Sequence, residues 1–85
     1  MIAVVLPSLL ATQAGGRKRF EVDEPTVEAA LHALPVADLI FDNGGNLRPL
    51  VNVYVDGTDV READGVHTAL RDGQTVRVVA AVAGG

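Results

Sequence analysis

Cysteine is absent from this chain, and its loss removes more chemistry than any other feature of the composition. Disulfides, thiolate nucleophiles, zinc–thiolate sites and cysteine-ligated iron–sulfur clusters are all excluded. A small domain without disulfides suits a reducing compartment, so a cytoplasmic location is expected. Aromatic residues are scarce at 4% of the chain, leaving Val, Ala and Leu to fill the interior. Such a core leaves no room for a large enclosed ligand cavity. Basic charge is also in deficit, with 7 Lys and Arg against 11 Asp and Glu and a formal net charge of −4. An acidic chain lacks the field that neutralises phosphates, so no nucleic-acid partner is expected. Arg17, Lys18 and Arg19 form the one dense basic cluster, too small to reverse this and best read as a solvated stretch of strand.

Long apolar runs are missing as well. Residues 2–10 are apolar and residues 11–14 small, as near a signal-peptidase site, but no Lys or Arg precedes Arg17 and Pro7 interrupts the run. A secretory signal needs a basic region first, and a bilayer span needs roughly 20 apolar residues. Neither a leader nor a membrane partner is expected.

What remains is a chain of 85 residues with 48% hydrophobic content, the size of one domain with one modest core. Residues 2–6 are rich in β-branched side chains and end at Pro7 and Ser8, as a short strand does. Residues 8–16 read as a connection ending in the turn-forming Gly15-Gly16. Residues 17–22 place Phe20 and Val22 on one face of a second strand, antiparallel to the first. Thr26 is a good helix N-cap and Glu28 lies near the positive end of the dipole. Val27, Ala30, Leu31 and Leu34 then recur at i, i+3, i+4 and i+7, and Pro35 stops the helix.

Residues 36–49 are irregular, with Leu39, Ile40 and Phe41 as a short apolar turn over a core edge. Residues 50–55 alternate strictly, with Val51, Val53 and Val55 against Asn52 and Tyr54, and predict the clearest strand. Asp56-Gly57 predicts a two-residue hairpin leading to a short return strand over 58–60. A connection over 62–72 is expected to hold a helical turn at 67–70, and Asp72-Gly73 a turn before a last strand over 74–81. Two hairpin regions flanking a helix predict an α+β chain with the β-grasp, or ubiquitin-like, arrangement. That is a mixed sheet of four to five strands with one main helix packed across one face. One domain is expected over 1–85, with residues 82–85 as a flexible tail.

Ordinary catalytic sets do not emerge. His32 falls outside the apolar stripe of its helix, where a solvated side chain is expected, and neither it nor His67 has a partner at metal-ligand spacing. Asp56 and Asp72 are explained by their turns, and Gly44-Gly45 lacks the flanking residues of a phosphate loop. No metal site and no cofactor bound by the chain itself are expected.

The end of the chain is different. From Val78 it reads Val-Val-Ala-Ala-Val-Ala-Gly-Gly, with no charged side chain after Arg77 and with side chains shrinking toward Gly85. Two glycines in the last two places arise by chance well under about one time in a hundred. A thin backbone of this kind can thread through a narrow channel and present its terminal carboxyl to a nucleotide bound on another protein. Alternation places Val5, Asn52, Tyr54, Arg77 and Val79 together on the sheet face away from the helix, beside the tail, as a candidate docking surface.

These residues resemble the ThiS/MoaD family of sulfur carriers, essentially end to end. The resemblance is carried by Val51-Asn52-Val53-Tyr54-Val55-Asp56-Gly57, Thr58-Asp59-Val60-Arg61, Leu70-Arg71-Asp72-Gly73-Gln74-Thr75-Val76 and Ala81-Val82-Ala83-Gly84-Gly85. It is closest to MoaD/CysO-type carriers. Gln74 stands where the family often has an acidic residue, and Ala80 or Ala81 where it often has proline.

The resemblance implies that Gly85 is the working residue, with Val82, Ala83 and Gly84 threading into a partner. An E1-like enzyme adenylates the Gly85 carboxylate with ATP, and sulfide or a persulfide converts it to a thiocarboxylate. The chain is then a protein co-substrate, not an enzyme. An acceptor sulfurtransferase or synthase, and a metalloprotease or other thiocarboxylate-processing enzyme, are the further partners implied. The sulfur goes to cysteine, or to a sulfur-containing cofactor or specialised metabolite. Three other readings stay open: the small subunit of molybdopterin synthase, a ubiquitin-like modifier conjugated through Gly85, and a plain binding module with an inert tail.

Overall fold

The computed structural model describes residues 1–80, and the expectations for 81–85 lie outside the described residues. Five strands form one mixed sheet: β1 (Ile2–Val5), β2 (Arg19–Val22), β3 (Val51–Val55), β4 (Thr58–Asp59) and β5 (Thr75–Ala80), in the order β2-β1-β5-β3-β4. The hairpin partners β1 and β2 are antiparallel, as are β3 and β4. β5 joins the two halves, parallel to β1 and antiparallel to β3. This is the α+β, β-grasp arrangement that the order of elements predicts.

Three short helices cover one face: α1 (Ser8–Gln13), α2 (Val27–His32) and α3 (Ala37–Ile40). α2 starts as its sequence requires, with the Thr26 hydroxyl accepting the Ala29 amide at 3.2 Å. Its buried residues Val27, Ala30 and Leu31, with Leu34 just past the Ala33 cap where the helix has already ended, share one core cluster with the sheet residues Val4, Val53, Val76 and Val78. Helices this short hold only by such packing.

α1 corrects the reading of residues 8–16 as a plain connection. The helix has six residues, too few for periodicity to register, but Leu10 and Ala11 are buried and half-buried Ala14 packs on the same core. Gly15 and Gly16 do turn the chain, with φ of 73° and 89°. The Gly16 amide donates to the Ala11 carbonyl at 2.8 Å, closing the helix end with a left-handed glycine.

Two smaller corrections follow. Residues 37–40 form the one-turn α3, which sends Ile40 into the core while Phe41, just after it, is also buried. The turn expected at 67–70 is displaced. Single 3-10 turns lie instead at Val60–Glu62 and Gly65–His67. Residues 68–70 run extended because they pair with the entry to α2, with Val27 donating to Thr68 and Leu70 to Pro25 at 3.0 and 2.8 Å.

The Asp56-Gly57 hairpin forms as expected, with φ of 49° and 87°, both positive as the two-residue turn demands. The Asp56 carboxylate accepts the Thr75 amide at 3.0 Å and the Gln74 side-chain amide at 3.3 Å. Gln74 also accepts the Arg71 amide at 2.7 Å. Its amide therefore donates on one side and accepts on the other, fixing the start of β5 to the β3–β4 turn.

Candidate functional site

β5 is the central strand of the sheet, between β1 and β3, and its last residue, Ala80, is paired with Val51 of β3. Even-numbered β5 residues, Val76 and Val78, face the core, while odd-numbered Thr75, Arg77 and Val79 face away from the helices. On β3 the parity is opposite, and Asn52 and Tyr54 point outward between buried Val51, Val53 and Val55.

Register brings the five expected docking residues onto one face. Arg77 is opposite Val5 on β1 and Tyr54 on β3, and Val79 is opposite Asn52. The row continues to Arg19 beyond Val5 and to Asp59 beyond Tyr54. Arg19–Val5–Arg77–Tyr54–Asp59 is thus one line across all five strands, and Val79–Asn52 lies one step nearer the tail. Val79 is 38% exposed, an apolar side chain left open beside the last described residues.

The far end of the line is held by charge. Arg61 grips Asp59 with two bonds, Nε to Oδ1 at 3.2 Å and Nη2 to Oδ2 at 2.9 Å, and the Arg61 amide also donates to Oδ1 at 2.9 Å. These bonds from Arg61 favour the ionised carboxylate and hold Asp59 below the usual carboxylate range. The same pairing, with a smaller contribution from Tyr54, raises Arg61 above its ordinary value. Alternation alone pointed to β3 and β5. Asp59 and Arg19 needed the strand register, and Arg61 needed the 3-10 turn after β4, neither of which a residue pattern states.

A second feature lies on the helix side of the tail's root. An open apolar groove of about 720 Å³ is lined by Leu9, Leu10, Leu39, Leu50 and Ala80 with Arg48 among its polar lining residues. Leu9 is 57% exposed, Leu50 50% and Leu39 39%. The groove was not legible in the sequence, because one wall of it is built by Leu9, Leu10 and Gln13 of α1.

The histidines stay apart from these features. His32 is exposed on α2, as expected, and its ring lies flat on Phe41, with centroids 4.2 Å apart. His67 is exposed in the second 3-10 turn. Among the described residues no cluster of three His, Cys, Asp or Glu is placed to hold a metal ion. Nor is any helix among them long and apolar enough to cross a membrane.

The arrangement defines a ubiquitin-like protein whose central strand leads into a small-residue terminus. The chain belongs to the ThiS family, whose profile matches residues 4–85. A relative from Mycobacterium tuberculosis, the sulfur carrier protein CysO, is 33% identical over 91 residues, covering 99% of this chain and 98% of that one. A chain in the crystal structure of the Amycolatopsis orientalis BexX/CysO complex superposes with a TM-score of 0.85 at 30% identity, with both chains fully covered. The small archaeal modifier protein SAMP1 from Haloferax volcanii superposes with a TM-score of 0.77 at 28% identity, covering 99% of this chain and 98% of that one.

Proposed function

We propose that this protein is a sulfur carrier whose reactive group is the C-terminal carboxyl of Gly85. The observation that carries the reading is the terminal Ala81-Val82-Ala83-Gly84-Gly85 following the central strand of a ThiS-family β-grasp. In the first step the Gly85 carboxylate attacks the α-phosphorus of ATP held by an E1-like enzyme, and pyrophosphate leaves. A poor acyl donor thereby becomes an acyl-adenylate. Sulfide then attacks the acyl carbon and AMP leaves, giving the thiocarboxylate. A persulfide serves equally if a second thiol cleaves the resulting acyl disulfide. The thiocarboxylate is acidic and soft, ionised near neutral pH and ready to donate sulfur to an acceptor on a partner enzyme.

The chain serves as a protein co-substrate in this scheme. Val82, Ala83 and Gly84 thread into the partner, and the face bearing Val5, Asn52, Tyr54, Arg77 and Val79 docks against it. CysO, the name of the 33%-identical relative, and the BexX/CysO complex support a carrier that works with partner enzymes. A metalloprotease or another thiocarboxylate-processing enzyme is a further partner of this scheme. The likeness to SAMP1 favours a second reading, conjugation to lysines through Gly85. Lys18 is the chain's sole lysine, which limits self-conjugation to one linkage.

Arg77→Glu tests the docking face. With an activating enzyme, its pyrophosphate exchange should show KM raised at least about tenfold with kcat little changed, since reversing one central charge removes about 1.4 kcal/mol or more of binding. Unchanged kinetics would remove this face from the proposal, whereas exchange that persists after deletion of Gly85 would remove the carboxylate.

A further inference from the structure

The sheet has β2 at one edge and β4 at the other. β4 is two residues long, whereas β2 presents the four residues Arg19–Val22. An exposed strand edge is a template for a further strand. The register of β2 against β1 decides which of its backbone groups are free. The Leu6 amide donates to the Lys18 carbonyl at 2.7 Å, with Val4 opposite Phe20 and Ile2 opposite Val22. Bonded residues alternate along an antiparallel pair, so Lys18, Phe20 and Val22 turn their amides and carbonyls toward β1. Those of Arg19 and Glu21 point away from the sheet, and no loop among the described residues bonds to them.

The side chains alternate as well. Phe20 and Val22 pack on the core, whereas Arg19 and Glu21 are exposed on the opposite face. Arg19 and Glu21 approach each other only to 4.0 Å, with side chains 64% and 59% exposed, so both charges are open to a partner. A second copy pairing antiparallel along this edge is related by a two-fold axis, and free residues must meet free residues. An axis at Arg19 sets that arginine against itself, and an axis at Glu21 sets two glutamates together. An axis at Phe20 sets Arg19 of each copy opposite Glu21 of the other, as bonded pairs. The same register puts Phe20 beside Phe20 on the core side and Arg17 opposite Asp23 just beyond the strand. Opposite charges across strands stabilise a pair and like charges oppose it, so the Phe20 axis is the favoured one.

We propose that β2 is a self-association edge, through which two copies join their five-stranded sheets antiparallel about Phe20. A seam this short falls below about 1,200 Å² of buried surface, the range of transient contacts. The dissociation constant expected at low ionic strength is roughly 0.1–1 mM, so dilute protein keeps the edge open. The inference uses only the fold and the charges of β2, and it does not rest on the carrier reading.

The test is sedimentation equilibrium of the full chain, with amide NMR spectra over a dilution series from about 2 mM to about 50 µM. The molar mass should rise toward that of a dimer with concentration, and the shifts that follow it should centre on residues 19–23. Added salt should weaken the association. Arg19→Glu and Glu21→Arg each turn both symmetric pairs into like-charge pairs, so each should weaken it about tenfold or more. Mixing the two variants restores opposite charges in both pairs and should recover a mixed dimer. A chain that stays monomeric throughout the series would overturn the proposal. So would a dimer that neither substitution weakens, or two weakened variants that fail to pair when mixed. The core methyls of Leu31 and Val53 report that each variant is folded, and no sulfur or nucleotide enters the experiment.

Discussion

Thr26 and Asp59 each do with a side-chain oxygen what the backbone alone leaves undone. Thr26 receives the Ala29 amide, one of the donors that the first turn of α2 cannot satisfy internally. Thr26→Ala should cost about 1 kcal/mol of unfolding free energy, and Thr26→Ser much less, as measured by urea denaturation. Asp59 is held below the usual carboxylate range by Arg61, so its folded value lies below its unfolded one. Its contribution is therefore present above the unfolded carboxylate range and lost as pH falls through the folded value. A carboxyl-carbon NMR titration should find Asp59 titrating below the usual carboxylate range, and Arg61→Ala should raise it. A titration that ignores Arg61→Ala would show that the pair seen here is not kept in solution.

The elements differ in how completely their backbone is paired. β5 is bonded on both sides, to β1 and β3, whereas β2 and the two-residue β4 form the edges. Edge strands open by local fluctuation, while a doubly paired central strand opens only with most of the sheet. Native-state hydrogen exchange should find the slowest amides in β5, β1 and β3 and the fastest sheet amides in β2 and β4. Slow exchange in β4 beyond that of β5 would contradict the strand order. This is also the scale at which sequence and structure part. The Val51–Val55 alternation, the Thr26 cap with its buried stripe and the Asp56-Gly57 turn were legible, because each is encoded within a few residues. α1 was not, since one and a half turns of apolar residues give no periodic signal. The extended path of 68–70 was not either, because it is set by amides of Val27 and carbonyls of Pro25 more than forty residues earlier.

At the scale of the molecule, β5, the last strand described, is the middle strand of the sheet. On one side stands the face of Val5, Asn52, Tyr54, Arg77 and Val79, on the other the groove of Leu9, Leu39 and Leu50. The five face residues were legible from alternation, whereas the groove needed the helix that the sequence hides. The carrier role proposed above makes Gly85, the second glycine of the di-glycine ending, the working position. The most direct measurement is the intact mass of the protein after incubation with an E1-like activating enzyme, ATP and a sulfide source. The account predicts a gain equal to one sulfur replacing one oxygen, located at Gly85 by fragmentation and absent when Gly85 is deleted. An unchanged mass with activating enzymes that load other ThiS-family carriers in the same assay would contradict it.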